Sequence, residues 1–122
     1  MSGAARLAEV TVRVDRSVPI CAVRGEIDAS NVESVLEQLV ASAPNDSPGL
    51  VLDLAETVYL DSAGVRILFE LARRMRTRRQ ELRVAVPPSG IVRRVLVLTA
   101  LAEIVPLHDD ADSAADALRR RV

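Results

Sequence analysis

The chain has 122 residues, 49% of them hydrophobic, and a formal net charge of −1. That is enough chain for one domain with its own core, and the near-neutral charge lacks the electrostatic footprint of a DNA binder. Aromatic residues make up only 2%, which argues against a stacking platform for single-stranded nucleic acid and leaves the core to Leu, Val, Ile and Ala.

The single cysteine, Cys21, excludes an intramolecular disulfide and a cysteine-based zinc site. No run approaches the roughly 20 apolar residues of a membrane helix, and Met1-Ser2-Gly3-Ala4-Ala5-Arg6 lacks the apolar core of a signal peptide. The expectation is one domain over residues 1–122, cytoplasmic, with neither nucleic acid nor membrane as partner.

In chain order, Glu9-Val10-Thr11-Val12-Arg13-Val14-Asp15 alternates, with Val10, Val12 and Val14 on one side, and predicts a half-buried strand. Arg16-Ser17-Val18-Pro19 supplies turn residues and Ile20-Cys21-Ala22-Val23 a second strand. The pair reads as an antiparallel hairpin at the sheet edge, with Pro19 near the start of its strand. Gly25 is expected to turn the chain out of the sheet. Ser30, with Glu33 three residues later, forms a capping-box pattern for a helix over 31–43. Pro44-Asn45-Asp46-Ser47-Pro48-Gly49 then stops that helix and delivers the chain to a buried strand over 50–54.

After a brief connection, Asp61-Ser62 precedes a helical pattern with apolar Val65, Leu68, Leu71, Ala72 and Met75 on one face. Its end, Arg73-Arg74-Met75-Arg76-Thr77-Arg78-Arg79, suits the negative end of a helix dipole, or docking to an acidic surface. A strand over 82–86 leads to Pro87-Pro88, and Ser89 is placed to cap a helix over 90–99. Ile104-Val105-Pro106-Leu107 reads as an edge strand, and a last helix runs from Asp109-Asp110 to Arg119-Arg120-Arg121. The fold class is α/β: a mixed, mostly parallel sheet of four to five strands, with helices mainly on one face.

No nucleophile elbow, P-loop, dinucleotide fingerprint or metal-ligand cluster stands in the sequence. The lone histidine, His108, is read in a surface connection and Cys21 as a small buried side chain. These residues predict a protein that is not an enzyme and uses no cofactor or metal.

Ser62 carries more. Asp61 and Ser62 are both residue types that cap a first helical turn, so the cap could be either. A hydroxyl there also stands at the positive end of a helix, where an added phosphate would meet free N–H donors. Asp28 and Asp53 fall at strand ends, where ligand-facing loops gather. Gly64 has no side chain to obstruct close approach by the helix or by a partner.

Val51-Leu52-Asp53-Leu54 followed by Leu60-Asp61-Ser62-Ala63-Gly64-Val65 resembles the signature of the STAS domain of bacterial anti-sigma factor antagonists. Val23-Arg24-Gly25-Glu26-Ile27-Asp28 is similar to that family's strand-ending Gly-Glu-Leu-Asp, and Val92-Arg93-Arg94-Val95-Leu96-Val97-Leu98-Thr99-Ala100-Leu101 to its last conserved helix and exit. Ala63 replaces a serine common in the motif, and Ala100 stands where glycine is frequent. Asp112-Ser113-Ala114 repeats the motif's letters with neither a strand before it nor a glycine after it.

The resemblance implies a single STAS domain in which Ser62 is phosphorylated by its partner. The partner would be an anti-sigma factor of serine-kinase type, bound through Asp28, Asp53, Asp61, Ser62, Ala63 and Gly64 while Ser62 is unmodified. Binding would release a sigma factor, and a phosphatase acting on phospho-Ser62 would restore the active form. Two other readings stay open on the sequence. One is a STAS subunit or scaffold of a transport or stress-signalling assembly, with Ser62 never modified. The other is a small-molecule or nucleotide-binding module.

Overall fold

A computed structural model describes residues 8–121 of the chain. The alternating N-terminal run forms strand β1 (Glu9–Asp15), paired antiparallel with β2 (Val18–Ile27) through a two-residue turn. Arg16 and Ser17 both take positive φ, 50° and 73°, the backbone that matches the twist of a tight hairpin. The remaining elements are α1 (Val32–Ala41), β3 (Gly49–Asp53), β4 (Thr57–Leu60), α2 (Ser62–Thr77), β5 (Glu81–Ala85), α3 (Ile91–Leu98), β6 (Leu107–His108) and α4 (Ala111–Arg121). A 3₁₀ turn, Leu101–Glu103, leads out of α3.

The sheet has six strands in the order β1-β2-β3-β5-β6, with β4 joined to β2 off that path. Every pairing except β1–β2 is parallel. Strand β2 divides one edge between two neighbours: Ile20 to Ala22 face β3, and Gly25 to Ile27 face β4. The change of neighbour falls between Ala22 and Gly25, and a register shift follows at once between Gly25 and Glu26. Gly25 has φ 105° there, a conformation that costs glycine least. So Gly25 bends β2 and the strand continues, where the sequence suggested an exit from the sheet.

Side chains alternate between two cores, as successive strand residues must. Leu50, Leu52, Leu82 and Val84 face a large cluster with Val35, Leu39, Leu68, Leu71 and Leu96 from α1, α2 and α3. Val51 and Ala85 face the other way, against Ala114, Ala115 and Leu118 of α4. Three helices on one face and one on the other is the arrangement expected from the sequence, around a larger sheet. Each fully buried leucine contributes roughly 1.5–3 kcal/mol, and Leu39, Leu50, Leu52, Leu68, Leu71 and Leu96 are all fully buried.

Several local expectations are corrected. The connection before Asp61 is strand β4, held by the Thr57 hydroxyl donating to the Val23 carbonyl at 2.6 Å and by the Gly25 N–H donating to the Glu56 carbonyl at 3.1 Å. Asn31, not Ser30, sits at the N-cap of α1, and no side-chain cap bond forms there. At α3 the N-cap is Gly90 (φ 115°), not Ser89. The C-terminal edge strand is Leu107–His108, so His108 lies in the sheet beside β5. Val12 and Val14 are 51% and 68% exposed, far more than a half-buried strand implies.

Candidate functional site

The site is built where β2 and β4 end side by side. Ile27 pairs with Leu60, so the segments that follow, Asp28 to Asn31 and Asp61 to Gly64, emerge next to each other. Asp61 is the N-cap of α2: its Oδ1 accepts the Gly64 N–H at 2.9 Å. Its other oxygen, Oδ2, accepts the Ala29 N–H at 3.3 Å, and its own N–H donates to the Ile27 carbonyl at 3.2 Å. One carboxylate therefore caps the helix and ties the β2–α1 loop to it.

Asp28 shapes that loop from within. Its Oδ1 accepts the Ser30 N–H at 2.9 Å and the Ser30 hydroxyl at 2.5 Å, an Asx-type turn. This bond consumes the hydroxyl that the capping-box pattern had assigned to the helix. Asn31, only 5% exposed, locks the other side. Its Oδ1 accepts the Asp28 N–H at 3.1 Å and its Nδ2 donates to the Glu26 carbonyl at 2.8 Å. The sequence reading missed Asn31 as a positioning residue, although Asn beside a helix start is a recognised signal.

Gly64 is buried under the start of α2. A Cβ there would stand 2.6 Å from Leu60 Cδ1 and 2.8 Å from the Ile27 carbonyl oxygen. The missing side chain admits close approach by the helix itself, bringing Ser62 down to the strand ends.

Ser62 is the first residue of α2 and is exposed. Among the described residues its hydroxyl has no hydrogen-bond partner, because Asp61 already fills the capping role. The N–H groups of Ser62 and Ala63 precede the first intrahelical bond, which Val65 donates to the Asp61 carbonyl, and point out of the helix start. Two residues of β4, the strand that leads into α2, are large, apolar and exposed: Val58 at 62% and Tyr59 at 46%, with Val58 lining a recess beside Gly90 and Ile91.

Asp28, Asp61, Ser62 and Ala63 thus share one surface, with Gly64 buried directly beneath it. Asp53 does not. It pairs with Ala22 and Ala85, five positions along β2 from Ile27, or about 16 Å at the rise of a strand. Its carboxylate accepts the Ala55 N–H at 3.0 Å, in a separate recess of about 350 Å³ with Thr11, Arg24 and Glu56. Among the described residues no group of His, Cys, Asp or Glu could hold a metal ion, and no helix is long and apolar enough to cross a membrane.

Residues 9–114 match the STAS domain family, and the chain belongs to it. A curated relative, from Bordetella bronchiseptica, carries the name "Putative anti-sigma factor antagonist BtrV". It is 28% identical over 100 residues, covering 82% of this chain and 85% of that protein. An anti-sigma factor antagonist from Mycobacterium paratuberculosis superposes with a TM-score of 0.83 at 26% identity, covering 93% of this chain and 96% of that one. The anti-sigma factor antagonist SpoIIAA, in its unphosphorylated form, shares the fold at a TM-score of 0.71 and 19% identity, covering 95% and 99% of the two chains.

Proposed function

We propose that this chain is an anti-sigma factor antagonist switched by phosphorylation of Ser62. Unphosphorylated, the surface around Asp28, Asp61, Ser62, Ala63 and Gly64 binds an anti-sigma factor of serine-kinase type in the cytoplasm and frees a sigma factor for transcription. The kinase directs the Ser62 hydroxyl onto the γ-phosphorus of ATP, releasing ADP and passing the hydroxyl proton to a base of its own. A phosphatase later hydrolyses the ester to serine and inorganic phosphate. This chain supplies the acceptor and the docking surface, and no catalytic group.

The observation that carries this reading is the Ser62 hydroxyl: exposed, uncommitted, and next to an aspartate that has taken over the cap. A serine needed for the fold would have its hydrogen bond already.

Phosphorylation would add about −1.5 to −2 charges beside Asp61, whose carboxylate is pinned by Gly64 and Ala29. The helix dipole and the outward N–H groups of Ser62 and Ala63 offset part of that repulsion. A partner packed against the helix start meets the added bulk and charge with no such compensation. The fold survives and the complex does not.

The test is fragment-level phosphopeptide mapping of the protein from its native cells. The tryptic peptide from Gly25 to Arg66 carries other hydroxyls, Ser30 and Ser47 among them, so the fragment ions must localise the phosphate. Phosphate on Ser62 that changes with growth condition supports the switch. Ser62 unmodified in every condition overturns it and favours a scaffold role.

A further inference from the structure

The N-terminal edge of the sheet presents a surface that the Ser62 switch does not use. β1 is paired with β2 on one side only, and among the described residues no strand covers its other edge. Asp15 and Val18 flank the two-residue turn, so they form a hydrogen-bonded pair, and such pairs alternate along an antiparallel ladder. Arg13–Ile20, Thr11–Ala22 and Glu9–Arg24 are then bonded pairs too, by the observed register. Pro19, which has no N–H to give, falls opposite Val14 at a non-bonded position. It follows that the N–H and C=O groups of Val10, Val12 and Val14 point away from β2.

Their side chains share one face, and Val12 and Val14 are 51% and 68% exposed. A seven-residue edge strand with outward backbone groups that no described strand covers, and an apolar face, is a template for another strand. Natural edges are blunted by proline, a bulge, very short length or charged side chains; β1 has only the last, in Glu9, Arg13 and Asp15, which alternate with the valines.

The sequence of β1 also says what fits it. Antiparallel pairing of two copies about Thr11 puts Glu9 opposite Arg13, Val10 opposite Val12 and Ala8 opposite Val14, each twice by symmetry. Neither Glu9 nor Arg13 is in an ion pair among the described residues. The register centred on Val10 sets Glu9 against Thr11 and loses both Glu9–Arg13 pairs, and those shifted the other way are worse. Centring on Val12 sets Glu9 against Asp15, and centring on Arg13 sets two arginines face to face. Cross-strand opposite charges and β-branched pairs stabilise a ladder, and like charges oppose it.

We propose that a second copy of this chain pairs with β1 in the Thr11-centred register, continuing the sheet across a twofold axis. The joined strands are short against the roughly 800 Å² per partner of a standard interface. The dimer is therefore weak and concentration-dependent. β1 lies across β2 from β4 and stops opposite Arg24, three residues before Ile27. Pairing leaves both Ser62 surfaces free, and the proposal stands whether or not Ser62 is phosphorylated.

Sedimentation equilibrium of the full chain over a wide concentration range tests this. The weight-average mass should rise from 13.2 kDa toward twice that value. Arg13→Glu should hold the chain monomeric by opposing two carboxylates, and the charge-swapped double variant E9R/R13E should restore the dimer. Val12→Pro, which removes an outward donor and no bond to β2, should abolish it with an unchanged far-UV circular dichroism spectrum. A wild-type chain that stays monomeric at every concentration overturns the proposal, including the case where protected Val10, Val12 and Val14 amides show that another segment covers the edge. A dimer that survives Arg13→Glu, or a double variant that folds and stays monomeric, overturns it as well.

Discussion

The carboxylate of Asp61 accepts the backbone N–H of Ala29, 32 positions earlier in the chain, at 3.3 Å. With the bond from Gly64, this makes Asp61 the residue that holds the two halves of the Ser62 surface together, and it separates the roles of two adjacent side chains. Asp61→Ala removes a cap and a loop tether and should cost about 1–2 kcal/mol. Ser62→Ala removes a hydroxyl without a partner and should stay within about 0.5 kcal/mol of wild type. Urea denaturation of the two variants checks this; a large loss for Ser62→Ala would mean that the hydroxyl serves the fold.

Charge at position 62 should act on binding and spare the fold. Ser62→Asp places a carboxylate at the first residue of α2, where the dipole favours it and the Asp61 carboxylate opposes it. The far-UV circular dichroism spectrum should match wild type. Affinity for the anti-sigma partner, measured by calorimetry, should fall at least tenfold, about 1.4 kcal/mol. Ser62→Ala should bind like wild type and be refractory to the kinase.

Gly64 gives a prediction whose sign runs against helix propensity. Alanine is the better helix former by about 1 kcal/mol, but its Cβ would stand 2.8 Å from the Ile27 carbonyl oxygen and 2.6 Å from Leu60 Cδ1. The Leu60 methyl can turn aside; the backbone carbonyl of a central strand cannot. Gly64→Ala should therefore destabilise by about 1–3 kcal/mol. It should also weaken partner binding by lifting Ser62 away from the Asp28 loop. A variant as stable as wild type in urea would refute the packing argument.

The helix carrying Ser62 was legible in the sequence because its signals are local: an aspartate at the cap, a glycine at the packing point and apolar residues every third or fourth position. Strand β4 was not. It is four residues long, only Thr57 and Leu60 are buried, and Val58 and Tyr59 between them are exposed, so it shows no alternation. What makes it a strand is pairing with the far end of β2, more than 30 positions away. The Ser30–Glu33 pattern misled for a related reason, since the Asp28 carboxylate competes for the same hydroxyl. Asp53 stands in the family motif beside Ser62 but is delivered to a different strand end, and sequence proximity carries no information about that distance.

Ala100 occupies a position where backbone and residue type disagree. It leaves α3 with φ 68° and ψ 10°, the left-handed region, which costs an L-residue roughly 1–2 kcal/mol. Its side chain is exposed, so little packing offsets the strain. Ala100→Gly should relieve more than glycine's added unfolded-state entropy costs, for a net gain of about 0.5–1 kcal/mol. The expected readout is a higher urea midpoint with an unchanged slope. A loss of stability would show that the turn after α3 depends on the alanine methyl.

His108 should make the sheet edge sensitive to mild acid. Its Nε2 lies 3.0 Å from Arg83 Nη1; the guanidinium can only donate, so the ring accepts and is neutral there. Burial is the first cause that lowers its pKa below the ordinary 6.5, with the Arg83 and Arg120 charges adding to it and Asp110 and Glu81 opposing it. A group whose folded pKa is depressed binds fewer protons folded than unfolded, so stability rises with pH across that interval. The contribution is complete above about 6.5 and is lost as pH falls through the lower folded value. Urea midpoints should therefore drop between pH 7.5 and the acid side of that interval. In His108→Gln, which keeps an acceptor for Arg83 but cannot titrate, the drop should be smaller. Equal pH dependence in the two proteins would assign the acid sensitivity to the carboxylates instead.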